Sequence, residues 1–242
     1  MRTLVRRLGT AMIVAGAGLL VWCLVVWQWQ DPFTALYTKY RQHQLASQYA
    51  KRASAYHPMQ IPTGAPLAAM RRTIALEGRR YRETTKRGQA IGRIKVPRLG
   101  LNMILVNGTD HGSLTKGPGR DLRTFMPGQN ELVYIAGHRT TYLAPFAHIE
   151  RLRRGDPVTL ELPYATFRYR IARHVIVPSD DVAVLKSHHH ELLALQACHP
   201  RFFASHRYIA YAELVRVEPR AGPAYSVARA SLAAPASPQP TR

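Results

Sequence analysis

Cysteine and acidic residues are what this chain of 242 residues is short of. Its two cysteines are Cys23 and Cys198. Cys23 lies inside a long uncharged N-terminal run, so the two cannot pair, and a disulfide-stapled fold is excluded. Asp and Glu together number 14 against 34 Lys and Arg, a formal net charge of +20. So few carboxylates argue against a built-in calcium site, which needs six or more oxygen ligands. The chain also lacks paired-carboxylate motifs, a Gly-rich phosphate loop, internal repeats and the aromatic-and-basic signatures of nucleic-acid modules. His188-His189-His190 stands without further ligands at metal spacing and reads as a solvated loop.

What is there begins with apolar content. Hydrophobic residues make up 46% of the chain, enough for a real core. Leu8–Gln30 holds no charged residue. As a helix, Leu8–Trp29 is about 33 Å long and can cross a hydrocarbon core of about 30 Å. A cleaved signal peptide is the rival reading, because Arg2, Arg6 and Arg7 form a basic leader. The run exceeds the usual signal core, however, and ends in Trp27-Gln28-Trp29, an interfacial aromatic belt, with no clear small-x-small cleavage site. A retained anchor is expected at 8–29, with 1–7 cytoplasmic by the positive-inside rule and the remainder extracellular. The excess positive charge fits attraction to anionic lipid or acidic envelope polymer, or a solvated basic stalk, and not nucleic acid.

After the anchor, Asp31-Pro32 reads as a helix cap followed by Pro at the first helical position, opening a helix to about Tyr56. His57–Gly88 mixes proline, glycine and arginine clusters, so 30–90 is expected as a basic stalk. From Ile91 the texture changes to short runs rich in Val, Ile, Tyr and Phe between turn residues. Strands are expected at 91–96, Met103–Val106, Glu131–Ala136, Val158–Leu162, Thr166–Val177, Leu192–Cys198 and Arg207–Glu218. In Thr166–Val177, Phe167, Tyr169 and Ile171 share one face and Arg168 and Arg170 the other. Ala144–Leu152 is expected as a short helix presenting Phe146, Ile149 and Leu152. Seven or eight short strands with little helix between them predict an all-β barrel or sandwich over 91–218. The Pro/Ala/Ser-rich 219–242 is expected to be a disordered tail.

The chemistry centres on Cys198, which ends an apolar strand in Leu-Gln-Ala-Cys-His-Pro. A lone buried cysteine is often only a small core hydrophobe. A strand-end histidine is often a surface residue, and Arg207 could be merely the polar start of an edge strand. Cys198, His138 after Gly137 at another strand end, and Arg207 at a third form a combination stronger than any one of them. A thiolate is the nucleophilic form of cysteine, and a nearby imidazolium or guanidinium favours it. The set therefore suggests nucleophilic acyl transfer. His199 adjoins the thiol, but neighbouring side chains in a strand point to opposite faces, so it is badly placed as the base.

Several ordered segments resemble the sortases, the cell-surface cysteine transpeptidases of mainly Gram-positive bacteria, and are most similar to class E. They are Ile91-Gly-Arg-Ile-Lys-Val-Pro-Arg-Leu-Gly-Leu, Gly108-Thr, Ser113-Leu-Thr-Lys-Gly-Pro-Gly, Ala136-Gly-His-Arg-Thr-Thr-Tyr, Leu152-Arg-Arg-Gly-Asp and Cys198-His-Pro-Arg-Phe. The resemblance implies an eight-stranded sortase-like β-barrel with Cys198 as nucleophile, His138 as acid/base and Arg207 as oxyanion and substrate stabiliser. Ala197, Thr141 and Tyr142 would border the substrate. The family usually carries Thr-Leu-x-Thr-Cys, where this chain has Ala194-Leu195-Gln196-Ala197-Cys198. The implied reaction cleaves a Leu-Pro/Ala-x-Thr-Gly sorting signal between Thr and Gly through a thioester. The acyl group then passes to a peptidoglycan-precursor or pilin amine. Implied partners are signal-bearing surface proteins, that amine acceptor and membrane lipid; no metal or organic cofactor is needed. A membrane-tethered cysteine hydrolase and a catalytically idle envelope-binding module are the alternatives.

Overall fold

Strand alternation dominates the architecture. A computed structural model describes residues 2–29 and 32–227. Three helices come first: α1 (Arg2–Trp29), α2 (Pro32–Ala55) and α3 (Leu67–Thr84). Then follow β1 (Ala90–Val96), β2 (Leu101–Asn107), the one-turn α4 (His111–Leu114), β3 (Gly119–Arg120), β4 (Leu132–Ala136) and β5 (Pro157–Glu161). The series ends with β6 (Ala165–Pro178), β7 (Leu192–His199), β8 (His206–Pro219) and β9 (Tyr225–Ser226). Every expected strand is present, and the eight-stranded barrel is confirmed. Its hydrogen-bonded order is β6-β5-β1-β2-β3-β4-β7-β8, with β8 returning to pair with β6. β9 runs beside β8 at Arg216 and Val217, beyond the end of β7.

The barrel interior is filled by alternate residues. Phe167, Tyr169 and Ile171 of β6 are buried while Arg168 and Arg170 are exposed. They join Ile94, Val133, Ile135, Leu193, Leu195 and Val217 in one continuous core. Burying each such large side chain contributes about 1.5–3 kcal/mol. β3 is only two residues long but bridges β2, in parallel, to β4, antiparallel. Gly119 permits this, since a Cβ there would lie 2.0 Å from the carbonyl oxygen of Gly108. Next to it the Arg120 guanidinium is buried among acceptors: Asn107 Oδ1 at 2.7 and 3.0 Å and the Thr124 carbonyl at 2.6 Å.

The helices before the barrel are built onto it. α1 is long and apolar enough to cross a membrane, and none of that stretch is buried against the rest of the protein. α2 lays Thr38 and Leu45 on the barrel. Its Gln42 side chain pairs with both backbone groups of Ile104 in β2, accepting from the N–H at 2.7 Å and donating to the carbonyl at 3.0 Å. The same amide also donates to the Lys116 carbonyl at 2.7 Å. Within His57–Gly88, the stretch expected as a stalk, α3 buries Ile74, Glu77, Gly78 and Tyr81. The Tyr81 hydroxyl donates to the Ile91 carbonyl at 2.9 Å.

One local expectation is overturned. Ala144–Leu152 is not an α-helix: only Ile149–Arg151 makes a 3-10 turn. Pro145 disfavours helical backbone in the residue before it, and Ala144 has φ 36°. Phe146, Ile149 and Leu152 are nonetheless all buried. The proposed Asp31 cap, the side chains of Trp27 and Trp29 and the tail beyond Val227 lie outside the described residues.

Candidate active site

Three neighbouring strands end at one place. β4 and β7 are parallel with Ala136 opposite Gln196, and the Gly137 N–H extends the ladder by donating to the Gln196 carbonyl at 3.0 Å. Carrying that register forward sets His138 abreast of Cys198. On the other side of β7, Cys198 pairs with Arg207 of β8. Strands lie about 4.8 Å apart and registered neighbours point to the same face. His138, Cys198 and Arg207 accordingly line a single cavity of about 310 Å³. Tyr134, Ala136 and Gln196 continue its floor by period-2 alternation. Ser179 and the turn Val182–Leu185, between β6 and β7, form a wall.

His138 is half-buried at the end of β4. Its Nε2 is buried and has no hydrogen-bond partner among the described residues. Burial holds the imidazole pKa below its ordinary value, and the charge of His111 adds to this. The Tyr142 ring lies against it, centroids 4.9 Å apart. Gly137 allows the loop to fold tightly, since a Cβ there would meet the Phe146 ring at 2.7 Å. Tyr142, Leu143 and Ala144 all take left-handed backbone, φ 53°, 60° and 36°. For non-glycine residues this costs about 1–3 kcal/mol each and persists only where surroundings impose it. Here they include the Tyr142 N–H donating to Thr34 Oγ1 of α2 at 3.1 Å, and the Ala144 N–H donating to the Thr141 carbonyl at 2.8 Å.

Two cations line the same cavity as the thiol. Arg123 lines the cavity but is clamped by Asp121, with Nε at 3.0 Å and Nη2 at 2.8 Å from its carboxylate. Asp121 also accepts from Thr109 Oγ1 at 3.1 Å. Its pKa lies below normal: burial opposes this, but the hydrogen bonds and charge of Arg123 outweigh burial. Arg207, by contrast, makes no ion pair among the described residues. Its Nη1 donates to the Ala204 and His206 carbonyls at 2.8 and 3.0 Å.

Arg139 is the residue the sequence reading passed over. It is 6% exposed and sits on the opposite side of the strand end from His138. Nη1 donates to the Cys198 carbonyl at 3.0 Å and to His199 Nδ1 at 3.0 Å, while Nη2 donates to Glu150 Oε2 at 2.8 Å. Accepting that bond requires an unprotonated His199 Nδ1. Burial and the charges of Arg139 and His206 keep the His199 pKa low. His199 is therefore engaged away from the cavity, as alternation requires. The one sequence signal for Arg139 was its place beside His138 in Gly-His-Arg.

The remaining expected residues divide. Tyr142 covers His138, and Thr141 braces the same loop without lining the cavity. Ala197 does not face substrate space: it is fully buried in the barrel core, because its side chain points opposite to Cys198. His189 meets Glu131 Oε1 at 3.0 Å on the surface, and the His188 and His190 rings stack.

A sortase-domain family model matches residues 94–215, half of the chain. Sortase D of Bacillus subtilis is 34% identical over 132 residues, covering 53% of this chain and 65% of that protein. Sortase SrtE1 of Streptomyces coelicolor is 27% identical over 159 residues, covering 59% of this chain and 45% of its own. The chain thus spans less than two thirds of either curated relative. Among solved structures, a sortase D5 transpeptidase of Clostridium perfringens superposes with TM-score 0.58 at 22% identity, over 72% of this chain and 98% of that one. Sortase E1 of Streptomyces coelicolor, solved with a tripeptide in its active site, gives 0.52 at 26% identity, over 55% and 92%.

Proposed function

Because this chain belongs to the sortase family, we propose that it is a membrane-anchored cysteine transpeptidase whose reaction runs on Cys198, His138 and Arg207. The observation that carries the reading is the register across β4, β7 and β8, which brings these three side chains abreast on one cavity.

In the proposed cycle the Cys198 proton passes to His138, and the thiolate attacks the Thr carbonyl carbon of a Leu-Pro/Ala-x-Thr-Gly signal. The carbonyl oxygen becomes an oxyanion, and Arg207 stabilises it. Having no carboxylate partner among the described residues, its charge is not already compensated. The Thr–Gly C–N bond then breaks, with His138 returning its proton to the departing glycine amine and a thioester left on Cys198. An acceptor amine from a peptidoglycan precursor or pilin attacks that thioester; His138 takes the amine proton and restores it to the departing sulfur. His138 Nε2, which has no hydrogen-bond partner among the described residues, is the nitrogen assigned to these transfers. The membrane setting rests on α1, with 1–7 cytoplasmic, 8–29 spanning and the barrel outside.

The test is mass-spectrometric capture of the acyl-enzyme. Incubation with a sorting peptide should add the acyl mass on Cys198, and a nucleophilic amine should discharge it to the amide product. Discharge to acid alone with amine present would make the enzyme a hydrolase. No adduct with any sorting-type peptide, in a folded protein with a reactive thiol, would leave an idle binding module.

A further inference from the structure

The exposed face of α2 changes character along its length. Phe33, Leu36, Tyr37 and Tyr40 are large, apolar or aromatic, and exposed by 72%, 71%, 46% and 61%. Their spacing of three and four residues places them on one side of the helix. Beyond them the exposed positions turn polar, at His43, Ser47 and Gln48. The opposite side of the helix is the one that buries Thr38 and Leu45 against the barrel. An apolar stripe limited to the two turns nearest the apolar span, then a polar one, matches the gradient from bilayer to water.

Phe33 also has a fixed level. Its ring centroid lies 5.7 Å from that of Trp22 on α1. Trp22 precedes the end of α1 by about two turns, roughly 10 Å along the helix. The first turn of α2 therefore folds back beside a part of the chain that itself belongs to the span. Lys39 and Arg41 follow directly, and the stretch from Asp31 to Ala90 carries eleven basic and three acidic residues. Aromatic side chains with nearby cations are what the interface of an anionic leaflet attracts.

We infer that the first two turns of α2 lie in the headgroup region of the bilayer and dock the barrel onto an anionic lipid surface. The inference rests on the reading of α1 as a membrane span. It has a consequence for the site: Thr34, in the same turn as Phe33, accepts the Tyr142 N–H, and Tyr142 covers His138. The rim of the cavity on the His138 side is thereby held at the membrane surface, where an acyl acceptor carried by lipid would arrive.

Nitroxide accessibility in the full chain tests this. In a Cys23→Ser, Cys198→Ala background, one cysteine at a time is introduced by Val14→Cys, Leu36→Cys, Tyr40→Cys or Ser47→Cys, spin-labelled and reconstituted in phosphatidylcholine–phosphatidylglycerol vesicles. The oxygen-to-nickel collision ratio at 36 and 40 should exceed that at 47 several-fold, with 14 higher still. Ratios at 36 and 40 equal to that at 47, with 14 lipid-buried, would overturn the docking while leaving the anchor. Shielding of 36 and 40 from both reagents would assign the stripe to a second copy and overturn it as well. Free access of nickel to 14 would remove the anchor itself, and the docking with it.

Discussion

Replacing Arg139 by methionine separates positioning of the nucleophile from its chemistry. The side chain is 6% exposed and of similar length to methionine, so the change removes hydrogen bonds more than volume. Orphaning the Cys198 carbonyl, now 3.0 Å from Nη1, costs about 1–3 kcal/mol. The Glu150 carboxylate is 40% exposed and recovers solvation when its partner goes, so that pair contributes only about 0–1 kcal/mol. A total of about 1–4 kcal/mol leaves a domain of ordinary stability, about 5–15 kcal/mol, folded. The larger effect falls on turnover. With its carbonyl released, the end of β7 can shift, and a misplacement near 1 Å costs about 10²-fold. Because Arg139 does not line the cavity, kcat should fall by about that factor while KM changes little, and Arg139→Lys should recover part of it. Glu150→Gln, which leaves the Cys198 contact in place, should stay within a few-fold of the parent. The assay is transpeptidation of a sorting peptide at several substrate concentrations, with melting curves alongside. A folded Arg139→Met enzyme with undiminished kcat would refute the positioning role.

Cys198→Ala and His138→Ala should each nearly abolish transpeptidation, and the double variant should be scarcely worse, since groups acting as a unit are non-additive; additive losses in the same assay would break the pairing. Arg207→Ala should lose roughly 10²–10³ in turnover, the scale of one oxyanion donor, and lysine should rescue it poorly. Gly137→Ala should destabilise by about 1–3 kcal/mol in denaturant melts, because its Cβ meets the Phe146 ring at 2.7 Å. Glu191 accepts from the Gly128 and Asn130 N–H groups and the Tyr169 hydroxyl, yet burial pushes its pKa up to about 7. The folded state therefore binds a proton there that the unfolded chain has released above about 4.3. Its contribution is complete below that pH and is lost as pH rises through about 7. Melting temperatures from pH 5 to 8 should fall less steeply in Glu191→Gln; an unchanged slope would count against this account.

The strands were legible because alternation survives in them residue by residue: in β6, Phe167, Tyr169 and Ile171 face the core and Arg168 and Arg170 the solvent. The ends of β4, β7 and β8 followed, and with them the place of Cys198, His138 and Arg207. α3 was illegible for a local reason. Its buried face is Ile74, Glu77, Gly78 and Tyr81, which has helical spacing but only two apolar members. Glu77 is there because it accepts from the Tyr56 hydroxyl and the Met59 N–H, and Gly78 because Pro127 and Gln129 approach too closely for a Cβ. Arg120 and Arg139 escaped for a distant reason. Their burial depends on Asn107, 13 residues from Arg120, and on the Cys198 carbonyl, 59 residues from Arg139, and neither partner is signalled by the sequence around the arginine. Ala197 was misplaced because proximity in sequence to the thiol outweighed the alternation that turns it inward.

The Gln42 amide in α2 acts as a one-residue substitute strand. β3 covers β2 only at Val106 and Asn107, so the outward N–H and carbonyl of Ile104 would otherwise stand open beside it. An uncovered stretch of sheet edge is a template for pairing with another chain. A fragment beginning at Ile91, trimmed for solubility, would keep every catalytic candidate and yet expose this edge together with the apolar groups that α2 and α3 cover. Such a fragment should self-associate through β2, whereas one beginning at Pro32 should not. The segment between α1 and the barrel is in this sense a built-in chaperone for its own sheet, and the smallest fragment expected to stay monomeric is longer than the barrel.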